Sequence, residues 1–72
     1  MNKLPSNINS LLNIASQALN QKKFVEARNV LEKIIKLNSK IFEVNFNLAI
    51  INLQLGDLKN SITYFEKAKK IN

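Results

Sequence analysis

A repeat without a gap constrains this chain more than any other feature. Residues 34 positions apart carry the same or similar chemistry through most of the sequence. Asn13 returns as Asn47, Ala15 as Ala49, Leu19 as Leu53, and Asn38 as Asn72. Glu32, Lys33 and Lys36 return as Glu66, Lys67 and Lys70. Similar pairs fill in between them: Ile14 with Leu48, Phe24 with Leu58, Leu31 with Phe65, Leu37 with Ile71. A fixed period of this size marks a stacked array of small units, each of which buries its apolar face only against a neighbour.

Within one period the pattern is helix, turn, helix. Val44, Leu48, Ile51 and Leu55 precede Gly56-Asp57, and Leu58, Ile62, Phe65, Ala68 and Ile71 follow it. Both sets keep the three-or-four spacing of an amphipathic helix. Glycine ends a helix because it enters the left-handed conformation without a Cβ penalty. An aspartate next to it accepts from the free N–H groups that open the following helix. The spacing predicts helices over about Asn7–Gln21, Phe24–Leu37, Lys40–Leu55 and Leu58–Ile71. Met1–Pro5 reads as a short, loose leader, with Ser6 or Asn7 as the first cap. Leu11, Ile14, Ala15, Ala18 and Leu19 form the first helix's buried stripe, and its other face is polar, as the open end of an array should be. The second helix carries a wider apolar band of Phe24, Ala27, Val30, Leu31, Ile34 and Ile35. Glu32 with Lys36, and Glu66 with Lys70, are spaced to support their helices by a few tenths of a kcal/mol. Lys22-Lys23 makes the first turn without glycine, and Asn38-Ser39 breaks the second helix.

On these residues the chain resembles the tetratricopeptide repeat family. In the second repeat, Leu48, Ala49, Gly56, Phe65 and Ala68 stand at family positions; in the first, Ala15, Ala27 and Leu31 do. Asn45, Asn52 and Ser61 replace the family's tryptophan, tyrosine and middle alanine, while Lys22 replaces the turn glycine and Ser39 the closing proline. The resemblance implies an all-α fold of two tandem helix–turn–helix hairpins, four antiparallel helices of an α-solenoid. It would span 1–72 as one domain, with repeats at about 8–41 and 42–72.

Composition narrows the chemistry. A chain of 72 residues makes one domain at most and buries a small core. It has no cysteine and no histidine, which excludes disulfides, the commonest metal sites and the usual nucleophile–base pairs. Its acids, Glu26, Glu32, Glu43, Asp57 and Glu66, suggest no convergent catalytic pair. Neither an enzyme nor a cofactor is expected. The net charge of +6 admits nucleic acid, a membrane surface or an acidic partner, yet a solvated basic surface explains it as well. Lys33, Lys36, Lys67 and Lys70 form a stripe that Glu32 and Glu66 partly neutralise, and no aromatic residues interleave to stack bases. Nucleic acid is therefore not the expected partner. No apolar run reaches membrane-spanning length, and the N-terminus lacks a secretory apolar core, so a cytoplasmic location is expected.

The resemblance also implies a concave groove lined by the first helix of each repeat. Asn13 and Asn47 hold equivalent positions there, and a side-chain amide both donates to and accepts from a peptide backbone. Leu12, Ser16, Phe46 and Ile50 share that face. Some family members grip a C-terminal carboxylate with lysine and asparagine where this chain has Leu12 and Ser16, so that clamp is not expected. The expected function is a non-catalytic protein-interaction module binding a peptide or helix. The alternatives are an oligomerisation or N-terminal scaffold segment of a larger protein, and a basic RNA- or ribosome-associated module. Repeat arrays need about three units for stability. With two, the chain is expected either to form a homodimer through Tyr64, Phe65 and Ile71 or to be part of a longer array. Lys69, standing where the first repeat has Ile35, fits an end open to water.

Overall fold

Each half-period folds as one helix. The computed structural model describes residues 6–72, so the Met1–Pro5 leader and a Ser6 side-chain cap lie outside the described residues. The helices are α1 (Ser6–Asn20), α2 (Phe24–Leu37), α3 (Phe42–Gln54) and α4 (Leu58–Ile71), and the described residues contain no strand. Consecutive helices pack: α1 on α2, α2 on α3, α3 on α4. The two hairpins α1–α2 and α3–α4 are thereby joined through α2 and α3.

The two hairpin turns are copies of each other. Gly56 has φ 82° and Lys22, one period earlier, has φ 59°. Lys23 N–H donates to the Ala18 carbonyl at 2.8 Å, and Asp57 N–H to the Asn52 carbonyl at 2.8 Å. These six-to-one bonds satisfy carbonyls at the helix C-termini, and they require the left-handed residue between. The next helix is capped only in the second turn, where Asp57 accepts from the Asn60 N–H at 3.2 Å and from its side-chain amide at 2.7 Å. Lys23 provides no such cap for α2. α3 starts two residues later than the spacing predicts. The Asn38 side chain accepts from the Lys40 N–H at 3.0 Å, and Ile41 is extended. This side-chain turn competes with the first turn of a helix.

The core runs from α1 through α2 into α3, with Ile8, Ala15, Leu31, Ile34, Val44, Leu48 and Ile51 at its centre. Each fully buried aliphatic side chain contributes about 1.5–3 kcal/mol relative to exposure. α3 lies between α2 and α4 and is buried on both sides. This is why it buries Asn45 and Asn52 together with Val44, Leu48, Ala49 and Ile51. Both asparagines donate within the fold. Asn45 Nδ2 reaches the carbonyls of Ser39 at 3.0 Å and Ile41 at 2.9 Å, and Asn52 Nδ2 reaches Leu48 at 2.9 Å. Asn45 thus ties the α2–α3 loop to α3, although its Oδ1 is buried with no hydrogen-bond partner among the described residues. Ser61, at the family's alanine position, donates from α4 to the Ala49 carbonyl at 2.8 Å. Two of the residues that look like departures from the family pattern, Asn45 and Ser61, are therefore a loop tie and an interhelical tie, while Asn52 bonds within α3.

Three details differ from the sequence reading. Ile14 is exposed, because no helix among the described residues covers that side of α1 as α2 covers Leu48. Ile8, not expected in the stripe, is buried instead. Neither Glu32–Lys36 nor Glu66–Lys70 closes, and the one ion pair among the described residues is Lys23–Glu26 at 4.0 Å. Exposed pairs of long side chains gain little in water, so their geometry is weakly held.

Candidate functional site

The α1 and α3 backbones do not approach closely; both helices rest on α2, and a cleft of about 210 Å³ is lined by residues of all three. Its floor is Leu31 of α2, with Ala15 and Leu19 of α1. Its rim carries Leu12, Asn13 and Ser16 from α1 and Glu43 and Asn47 from α3. Asn13 is exposed and Asn47 half-buried. The 34-residue register places these two amides on facing helices of one cleft. A segment lying there would meet a donor–acceptor group on each side, above an apolar floor. Glu43 adds one negative charge to the rim. The sequence reading named Glu43 only among the acids that suggest no catalytic pair.

The six residues expected to share a binding face divide into two groups. Leu12, Asn13, Ser16 and Asn47 meet in the cleft. Phe46 and Ile50 are exposed on α3 but do not line it. Phe46 stacks on Phe42, with ring centroids 5.7 Å apart and planes at 14°, and meets Phe65 of α4 edge-on at 5.8 Å. Side chains at 42, 46, 50 and 53 form one helical stripe, turned from Asn47 toward the α4 side.

The three residues expected to form a self-association face also separate. Tyr64 is half-buried and packs against the core. That burial, with the nearby Glu32 carboxylate of α2, raises its phenol pKa above the ordinary value. Lys67 lies over its ring at 5.2 Å. Ile71 borders a hollow shared with Ser39, Lys40, Lys67 and Lys70. Phe65 points to the opposite side of α4, against Phe46. The sequence reading counted all three as outward, whereas α4 leans on α3 with Ser61 and Ala68 and turns Tyr64 inward. No helix among the described residues is long and apolar enough to cross a membrane.

Residues 42–72 match the tetratricopeptide repeat family. Neither a curated protein nor a solved structure matches the chain. The match covers α3 and α4, and the preceding hairpin repeats their turn geometry and register. Residues 42–72 therefore form a tetratricopeptide repeat by that match, and the four helices in tandem hairpins are consistent with two such repeats.

Proposed function

We propose that the chain is a non-catalytic binding module, one domain of repeats at about 8–41 and 42–72, that holds an extended peptide in the cleft between α1 and α3. Tetratricopeptide repeats are protein–protein interaction modules, and the cleft is where this chain offers hydrogen bonds beside apolar surface. The observation that carries the reading is the facing pair Asn13 and Asn47. An extended strand has unpaired N–H and C=O groups along its length, and a primary amide satisfies one of each. Leu12 and Leu19 supply the apolar part of the contact, and Ser16 a hydroxyl. No cofactor enters this reading, and its setting is the cytoplasm.

Selection of a random peptide display library on the intact chain tests it. Selected peptides should lose about fivefold in affinity on Asn47→Ala, the scale of one net hydrogen bond. Both asparagines are accessible, so circular dichroism should be unchanged. Peptides that bind the wild type and the Asn13→Ala, Asn47→Ala double variant equally would remove the cleft from consideration.

A further inference from the structure

Charge is divided unevenly between the inner and the outer helices. The chain has 11 basic and 5 acidic residues, for a net charge of +6. Every lysine and arginine among the described residues lies on α2, on α4 or between two helices. α1 carries no charged residue, and α3 carries one, Glu43. The two helices that supply the rim of the cleft therefore hold a single charge, and its sign is the reverse of the molecule's. Asn9 stands at the position of Glu43 in the first repeat, so the acid belongs to the α3 side of the cleft alone.

Glu43 is placed to use that charge. It lines the cleft one helical turn before Asn47, and residues four apart lie on the same side of a helix. Leu12, Asn13 and Ser16 of α1 line the same space, with Leu31 of α2 beneath. Glu43 is exposed and pairs with no cation. The one ion pair among the described residues is Lys23–Glu26, and Lys40, three residues before Glu43, does not close on it. An acid in the first turn also favours α3 through the helix dipole, and that role needs no ligand. The dipole explains an acid at 43, but not why cations are missing from both inner helices.

We propose that the α1–α3 cleft selects a peptide bearing a lysine or arginine, whose charged end is held by the Glu43 carboxylate and the side-chain oxygen of Asn47. The inference rests on the peptide reading of that cleft and adds to it the charge of the occupant. The aliphatic stem of the basic side chain lies along Leu12 and Leu19 while its charged end stays at the wet rim. A peptide carboxylate finds no cation among the residues that line the cleft. One basic residue matches one acid. A run of them would meet a molecule of net charge +6, and like charges oppose docking.

Peptide display on the intact chain supplies the probes, at about 0.15 M salt so that the outer lysines are screened. Only peptides whose binding is weakened by Asn47→Ala are scored. Among these, lysine and arginine should be enriched over aspartate and glutamate. The tightest is then synthesised twice, with its basic residue kept or replaced by norleucine, and both forms are titrated into the wild-type and Glu43→Gln chains. Norleucine should weaken binding to the wild type about threefold, the scale of one exposed ion pair, and leave binding to Glu43→Gln almost unchanged. Such a coupling separates a direct contact from an effect on the fold. Glu43 is exposed, and circular dichroism checks that the variant stays folded. A norleucine effect of the same size in both chains would overturn the proposal, because Glu43 would then act only on α3. So would an Asn47-dependent set of peptides without an excess of basic residues, although the peptide reading of the cleft would then stand. If no selected peptide depends on Asn47, the cleft reading fails and this inference fails with it.

Discussion

Lys22→Gly should stabilise this protein, although it removes a side chain and adds no contact. Lys22 sits at φ 59°, in the left-handed region, at the position where the second turn has Gly56. An L-residue with a Cβ pays about 1–2 kcal/mol to stay there. Glycine removes that cost but gives back roughly 0.5–1 kcal/mol, because the unfolded chain gains freedom. The net gain is about 0.5–1 kcal/mol. For a domain of this length that raises the melting temperature by about 3–6 °C. Gly56→Ala is the mirror experiment. A Cβ on Gly56 would meet nothing within 4 Å, so its cost is conformational rather than steric, and of similar size with opposite sign. Thermal and urea unfolding of both variants, followed by circular dichroism, gives the two numbers. If Lys22→Gly lowered the melting temperature, or Gly56→Ala left it unchanged, the two turns would not share the left-handed closure described above.

Three further outcomes follow from burial and charge. Leu48→Ala, at a position fully buried between α2 and α4, should cost about 2–5 kcal/mol, enough to leave much of so small a domain unfolded in denaturant-free buffer; helical signal at 222 nm measures it. Asp57 has its pKa held below the ordinary carboxylate value by the Asn60 side-chain amide, then by the Asn60 N–H, with the Arg28 charge adding to them. Its stabilising effect is therefore present above the unfolded carboxylate pKa of about 3.9 and fades as pH falls through the lower folded value; melts over an acid pH series should show this loss, and Asp57→Ala should remove it. Binding to single-stranded RNA should be weak and fade steeply with salt, since it would rest on phosphate contacts; tight binding at physiological salt, lost when Lys33, Lys36, Lys67 and Lys70 become glutamate, would contradict this.

The helices were legible because each hairpin carries its own periodicity and turn. The α2 and α4 boundaries fall where the apolar spacing ends, and Gly56-Asp57 acts as both stop and start. The start of α3 was not legible, because the Asn38 side-chain turn is a local hydrogen-bond choice that apolar spacing does not encode. The buried ties of Asn45, Asn52 and Ser61 were also hidden. Polar residues at core positions read as departures until their carbonyl partners are known. In the candidate site, the 34-residue register gave Asn13 and Asn47 equivalent positions, and both line one cleft, since equivalent positions in a stack face the same side. It could not separate Phe46 and Ile50 from that cleft. Whether a residue one face-width away points along the groove or toward the array's end depends on how α4 leans on α3, and Phe65 decides it by meeting Phe46.

The most direct test of the binding reading is where a selected peptide sits. Intermolecular nuclear Overhauser effects should be measured between an unlabelled peptide and the ¹⁵N,¹³C-labelled chain. The account predicts contacts from peptide backbone protons to the side-chain amides of both Asn13 and Asn47, with side-chain contacts to Leu12 and Leu19. Contacts confined to the outer surfaces of α2 and α4, with the two asparagine amides untouched, would contradict it.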